Sequence, residues 1–287
     1  MSDLDLAARR RFYAEEIQMT ANLKSADVVE AFATVPREQF LPAGPWTVKG
    51  EADFQGAPRQ TPDADPRHVY HNIGVAIDPS RLLFNGAPGV LGLTIDSLAP
   101  APGRRVLHLG TGLGYYTAIL AQSVGPTGRV VGLEVDPGLA AAARKNLASF
   151  PWVDVRESNG TGPLGETFDA ILINAGVTHP QASWLDALAP GGRMVLPITA
   201  SMPGMGPIGK GPMVMITRGD DAAVFTARVI TFIAIYSGIG LREPAIEAEL
   251  GKSLMRNPFP PLKTFRREPH DADAACWLHT EHGCLST

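Results

Sequence analysis

The stretch Val106-Leu-His-Leu-Gly110-Thr-Gly112-Leu-Gly114-Tyr-Tyr-Thr-Ala-Ile-Leu-Ala121 decides the fold. Arg105–Leu109 reads as a strand, Gly110–Gly114 as a glycine loop and Tyr115–Ser123 as a helix. Glycines let backbone amides approach a ligand closely, and a helix N-terminus favours negative groups. A dinucleotide fingerprint would need its third glycine at 115, and residue 115 is tyrosine, so the spacing is G-x-G-x-G. Glu134 closes the next strand, ~20 residues on, where an acid can grip ribose hydroxyls. A cofactor with ribose, adenine and an amino-acid tail, but no pyrophosphate, fits this set better than a nicotinamide dinucleotide does.

Outward from this unit the pattern repeats. Arg129–Val135 is a second strand, and Asp136-Pro137 opens a helix as N-cap and first-turn proline. Leu139 to Leu147 fill that helix. Val153–Arg156 and Phe168–Asn174 are further strands, Ala182–Leu188 is helical, and Arg193–Pro197 is a fifth strand after a Pro-Gly-Gly turn. Strands alternating with helices imply an α/β fold with βαβ units. The expected form is a doubly wound, mostly parallel seven-stranded sheet with an N-terminal helical cap and a C-terminal extension. Met213–Arg218 and Ala223–Ile235 read as an antiparallel hairpin joined at Gly219-Asp220-Asp221. Upstream, residues 4–33 read as helical with a break near Ser25 and a stop at Pro36. Residues 36–68 carry prolines at 36, 42, 45, 58, 62 and 66 and read as a long loop. Ile73–Ile77 is a short strand, and Val90–Leu98 is a helix ending at Pro100. The Met/Gly/Pro-rich segment 201–212 reads as irregular, either a mobile lid or a plain connection. The expected divisions are 1–78, 79–240 and 241–287.

Composition narrows the function classes. The 287 residues are 45% hydrophobic and 19% charged, the balance of a folded chain. A net charge of −4 gives no basic footprint, so no nucleic-acid partner is expected. No uncharged apolar run approaches the ~18 residues that span a bilayer, and MSDLDLAARRR lacks the apolar core of a secretory signal. Two cysteines make no disulfide framework, and a cytoplasmic protein is expected. In the tail, Cys276, His279, His282 and Cys284 form C-x2-H-x2-H-x-C. Zinc favours two ligand pairs separated by a longer loop, so no metal is expected. His68, His71 and His179 lie where they could reach a substrate, though plain loop positions explain them better.

The stretch 104–199 resembles a class I S-adenosylmethionine-dependent methyltransferase, and more narrowly the protein-L-isoaspartate O-methyltransferase family. Val35-Pro-Arg-Glu-Gln-Phe40 is similar to that family's helix-ending segment. Leu107 to Tyr115 matches its first motif, with the tyrosine after the glycines. Asn159-Gly160 stands where the family carries Asp-Gly. Phe168-Asp-Ala-Ile171 matches its fourth strand, Pro190 to Pro197 its fifth, and the hairpin 213–235 has a counterpart. The resemblance covers about residues 25–235 and leaves the tail unmatched. The family's substrate motif Gly-Gln-Thr-Ile-Ser-Ala-Pro falls at 82–88. Here it reads Leu82-Leu-Phe-Asn-Gly-Ala-Pro88, with Gly86 where the serine stands.

The resemblance implies S-adenosyl-L-methionine as cofactor and methyl transfer to a carboxylate of a protein, peptide or related small molecule. Gly110, Thr111 and Gly112 would hold the amino-acid tail, with Tyr115 packing nearby. Glu134 and Val135 would meet the ribose, and Asn159 and Gly160 the adenine. Asn174, at the C-terminal end of its strand, and Asn85, in the altered motif, would lie on the substrate side. A carboxylate acceptor is ionised near neutral pH and needs no base, in keeping with the absence of an evident base in these motifs. Alternatives are a same-fold enzyme acting on another peptide group or a small molecule, and a cofactor-binding adaptor without turnover. A nicotinamide oxidoreductase is disfavoured by Tyr115.

Overall fold

A computed structural model describes residues 3–50, 57–201, 204, 206–219 and 224–287. The chain begins with α1 (Asp3–Ala21), α2 (Ala26–Thr34), β1 (Thr47–Gly50), β2 (Arg59–Gln60), β3 (Ile73–Asp78), β4 (Leu83–Phe84) and α3 (Pro88–Ser97). It continues through β5 (Arg105–Leu109), α4 (Tyr115–Val124), β6 (Arg129–Glu134), α5 (Pro137–Asn146), β7 (Val153–Glu157), β8 (Phe168–Ile173) and α6 (Ala182–Ala187). It ends with β9 (Leu188–Pro197), β10 (Ala200–Ser201), β11 (Ile208–Arg218), β12 (Val224–Tyr236), α7 (Pro244–Arg256), β13 (Thr264–Arg266), β14 (Cys276–Thr280) and β15 (Gly283–Ser286). Two compact units form, one from residues 1–104 with 111–156, the other from 105–110 with 157–287.

In the first unit, α1 and α2 are separated where the sequence breaks. Ser25 caps α2 by accepting the Val28 N–H at 3.3 Å, and Asp96 takes the N–H groups of Lys24 and Ser25 at 3.1 and 2.8 Å. Tyr13, Ile17, Phe32, Ile95 and Ile119 are fully buried and make the core of this unit. The proline-rich segment 36–68 departs from the expected loop. It contributes β1 and β2 to a small antiparallel sheet of order β2-β1-β3-β4, and two short 3₁₀ turns. Strands of two to four residues are too short to show a period of two, which is why the pattern hid them. Its residues 51–56 lie outside the described ones. Further on, Asp136 caps α5 as expected, accepting the Leu139 N–H at 3.0 Å, with Pro137 in the first turn.

In the second unit the sheet runs β14-β15-β13-β12-β11-β9-β8-β5. β5 pairs β8 in parallel (Leu107 opposite Ile171), and β8 pairs β9 in parallel (Leu172 opposite Val195). These strands are buried on both faces, which accounts for their unbroken apolar runs. All other pairings along this path are antiparallel, and the sheet runs on past the expected hairpin. β9 begins at Leu188, ahead of the glycines, and β11 begins at Ile208, inside the segment read as irregular. The tail supplies β13, β14 and β15, which continue the sheet past β12. β10 pairs β11, Ala200 opposite Lys210. Residues 202, 203 and 205 of the proposed lid, and 220–223 of the hairpin turn, lie outside the described residues. Among the described residues no helix is long and apolar enough to cross a membrane.

Candidate active site

The glycine loop enters the first unit at Thr111. Gly112 and Gly114 have φ of +57° and +99°, a region that glycine enters without strain. The Gly112 N–H donates to Glu134 Oε2 at 2.7 Å, and the Asp136 N–H donates to Glu134 Oε1 at 3.0 Å. The acid is only 6% exposed. Two backbone donors hold its carboxylate at the end of β6 and leave lone pairs for further donors, as vicinal ribose hydroxyls would be. Val135 follows it at the surface. Thr111 directs both its N–H and its hydroxyl to the Leu133 carbonyl, at 3.2 and 3.3 Å. The far side of the loop is closed by α5. Asn146 donates to the Leu113 carbonyl at 2.9 Å, and a Cβ on Gly114 would stand 2.9 Å from Leu147. Asp136 also pairs with Arg81 at 2.6 Å, which ties this turn to the segment before Asn85.

Tyr115 turns into the core of the first unit. Its side chain is 1% exposed and its hydroxyl meets that of Tyr13 at 3.2 Å. Its ring packs against Phe32, Phe40 and Tyr116, with the Arg37 guanidinium 5.6 Å from its centroid. Burial pushes the Tyr115 phenol well above its ordinary pKa. The side chain thus anchors α4 in the core of the unit.

Arg37, in the motif Val35–Phe40, organises the segment from Val69 to Asn85. It is fully buried. Nη1 donates to the carbonyls of Val69 and His71 at 2.7 and 3.1 Å, and Nη2 to the carbonyl of Ile73 at 2.8 Å and to Asn85 Oδ1 at 3.0 Å. Asn85 is therefore held by its side-chain oxygen. Gly86 next to it has φ +82°, and Tyr116 donates to its carbonyl at 3.1 Å. His71 lends its carbonyl to Arg37, while His68 pairs with Asp63 at 2.9 Å.

In the second unit, Gly110 and Asn174 come together. Asn174 donates its N–H to the Leu109 carbonyl at 2.8 Å, and a Cβ on Gly110, at φ +82°, would stand 2.8 Å from the Asn174 carbonyl oxygen. Only glycine admits that approach. Asn159 closes an Asx turn, accepting from the Thr161 N–H and hydroxyl at 3.2 and 2.9 Å. The Gly160 carbonyl accepts from the indole of the fully buried Trp184 at 2.8 Å, a support the sequence did not signal.

His179 lies under the tail. Its Nε2 is 3.3 Å from Glu243, and its ring stacks on His282 at 4.2 Å. Burial, with His282 next in weight and Glu243 opposing, lowers its pKa to about 4. Burial lowers His108 to about 3. Both histidines stay neutral when folded and protonate near ~6.5 when unfolded. Protons therefore bind the unfolded chain first, and stability is expected to fall as pH drops from about 6.5 towards 4, by roughly 1.4 kcal/mol per unit per group. Urea midpoints across that range check this, and a flat profile would contradict it. The tail cluster is regrouped relative to the sequence spacing. Cys276, His279 and Cys284 gather with His270, and His282 turns away to His179 and Glu243.

Residues 57–224, more than half the chain, match the family profile described as Protein-L-isoaspartate(D-aspartate) O-methyltransferase (PCMT). A protein-L-isoaspartate O-methyltransferase of Methylorubrum extorquens is 33% identical over 248 residues, which cover 84% of this chain and 93% of that one. Another, of Aeropyrum pernix, is 33% identical over 189 residues, 64% of each chain, so this chain spans somewhat under two-thirds of that relative. A solved protein-L-isoaspartate O-methyltransferase superposes with a TM-score of 0.63 at 21% identity, covering 86% of this chain and 69% of that one. A Plasmodium falciparum protein described as a beta-aspartate methyltransferase, crystallised with S-adenosyl-L-homocysteine, superposes with a TM-score of 0.59 at 16% identity, covering 80% and 98%. At these identities the structural likeness speaks to the fold, which is that of the class I methyltransferases.

Proposed function

The chain belongs to the protein-L-isoaspartate O-methyltransferase family, and from that premise we propose that it methylates a carboxylate of a protein or peptide, an isoaspartyl side chain first among them. The observation that carries this reading is the buried Glu134 carboxylate, bridged to the Gly112 and Asp136 amides. It supplies acceptors for ribose hydroxyls beside a glycine loop that opens a helix. S-adenosyl-L-methionine is the cofactor, and when bound it supplies a methyl group already activated as a sulfonium. The chain's own residues do the rest. Gly110, Thr111 and Gly112 would hold the amino-acid tail, Glu134 with Val135 the ribose, and Asn159 with Gly160 the adenine. Tyr115 acts from behind, fixing the start of α4. Asn174 and Asn85 orient the acceptor. A carboxylate acceptor arrives ionised, with an ordinary pKa near ~4, so the site has only to align it and exclude water.

Residues 79–240 make the cofactor-binding part, 1–78 its cap and 241–287 an extension; two thiols and no disulfide suit a cytoplasmic setting. Methyl incorporation into an isoaspartyl peptide and its normal aspartyl twin tests the reading. Incorporation at least ~10-fold faster into the isoaspartyl form is expected from differential transition-state binding. Equal rates would end the isoaspartyl assignment, and stabilisation by NAD alone would end the cofactor assignment.

A second acceptor carboxylate is favoured by one observation, Gly86. The serine of the family motif is replaced by a residue at φ +82° whose Cβ would stand 3.0 Å from Leu91 Cδ2. Restoring it with Gly86→Ser is expected to cost about 1 kcal/mol or more, read as a lower urea midpoint. An unchanged midpoint would show that the backbone there relaxes freely.

A further inference from the structure

The C-terminal extension holds a group of side chains that the methyl-transfer reading does not use. One ligand atom from each of His270, Cys276, His279 and Cys284 lies within 4.8 Å of every other. Cys276 Sγ is 3.7 Å from His270 Nε2 and 3.9 Å from His279 Nδ1. A tetrahedral zinc ion with bonds of about 2.0–2.3 Å would space such atoms about 3.3–3.8 Å apart. The observed distances need only small side-chain rotations to close on that figure. We propose that these four residues form a structural Cys2His2 zinc site that staples the C-terminal extension.

Several neighbours suit a metal site, although the Cys276 thiol also donates to Asp273 Oδ1 at 3.3 Å, a bond that metal binding would break. His270 Nδ1 lies 2.9 Å from the Glu268 carbonyl. An N–H there fixes the tautomer that leaves Nε2 bare and turned to Cys276, the usual orienting bond of a metal-bound histidine. The Asp273 N–H points at Cys276 Sγ at 3.4 Å, and the Arg266 guanidinium lies 3.6 Å from the same sulfur. Both are donors a thiolate accepts. Arg266 is itself paired with Asp273 at 3.4 Å, so the pair adds no net charge. Two thiolates and two neutral imidazoles cancel the charge of Zn²⁺. Binding converts two thiols to thiolates and releases two protons to solvent.

The topology explains why the sequence pattern misled. His279 stands opposite Cys284 in the β14–β15 hairpin, which puts both on one side of the ladder. His282 sits in the two-residue turn between Thr280 and Gly283 and leaves with Glu243. The fourth ligand comes from the stretch before β14, which has no regular structure. That stretch gains little from burial, so a metal bond is an effective way to hold it.

Metal analysis of the full chain, purified reduced and dialysed against buffer, tests this. About one zinc per chain is expected, with both thiols shielded from a thiol reagent until a chelator is added. Titration of the stripped chain with Co²⁺ should give the absorption of a tetrahedral site with sulfur ligands, and His279→Ala and Cys284→Ser should each weaken metal binding ~100-fold or more. The Co²⁺ spectrum on the unmutated chain keeps the test valid if a variant fails to fold. Less than a tenth of an equivalent of zinc with both thiols reduced and accessible would overturn the proposal. So would a Cys276–Cys284 disulfide in the native chain. Zinc that survives both substitutions but is lost in His179→Ala would place the ion at His179, Glu243 and His282 instead, and the proposal would fall.

Discussion

Arg37→Met is expected to lower the unfolding free energy by about 3–5 kcal/mol. The length of the side chain is kept, but its donors are gone. The carbonyls of Val69, His71 and Ile73 and the Asn85 side chain all receive hydrogen bonds from this guanidinium inside the protein. Each acceptor left dry costs about 1–3 kcal/mol, softened where water can reach it. Arg37→Lys keeps the charge but not the planar fork, and should fall between the two. Urea denaturation reads the effect as a lower midpoint at constant slope. A loss under about 1 kcal/mol would mean that the segment 69–86 is held by something other than Arg37.

Glu134→Ala is expected to weaken binding of S-adenosylhomocysteine ~100-fold, about 2.7 kcal/mol. Two effects add. The acceptor for ribose hydroxyls disappears, and the Gly112 N–H loses the partner that sets the loop. Glu134→Gln separates them, since an amide can accept with its oxygen but cannot accept at both ends. It should bind with intermediate affinity. Calorimetric titration of wild type and both variants measures this directly. Affinity within threefold of wild type for the alanine variant would remove Glu134 from the cofactor site, and the proposed function would lose its main support.

Much of this was legible before the structure because the signals were local. Three glycines, the Asp136-Pro137 cap and the apolar runs of β5 and β8 each follow from short-range physical chemistry, and their elements lie within a residue or two of the expected bounds. Elements with no local signal stayed hidden. β1, β2 and β13 are two to four residues long and partly polar. β9 and β11 run through glycines that ordinarily punctuate. Arg37 is visible in its motif but not its burial, because an arginine is normally solvated and the acceptors gathered around it, the carbonyls of Val69, His71, Ile73 and Gly86 and the Asn85 side chain, reverse that expectation. For Tyr115, a helix start says where the backbone goes. It does not say that Tyr13, Phe32 and Phe40 wait on the other side. In the tail, the spacing of Cys276, His279, His282 and Cys284 speaks against a metal, and it does not show that His270 joins Cys276, His279 and Cys284 while His282 turns to Glu243.

The strand β5 belongs with residues 157–287, although along the chain it falls between residues 1–104 and 111–156 of the other unit. Cutting after Arg156 would leave Arg105–Leu109 in a fragment lacking Phe168–Ile173, the neighbour whose ladder it completes. The complementary piece would carry an open apolar edge at β8. Neither product should persist as a monomeric, well-behaved species, and split or truncated versions of this polypeptide are expected to aggregate unless both pieces are made together.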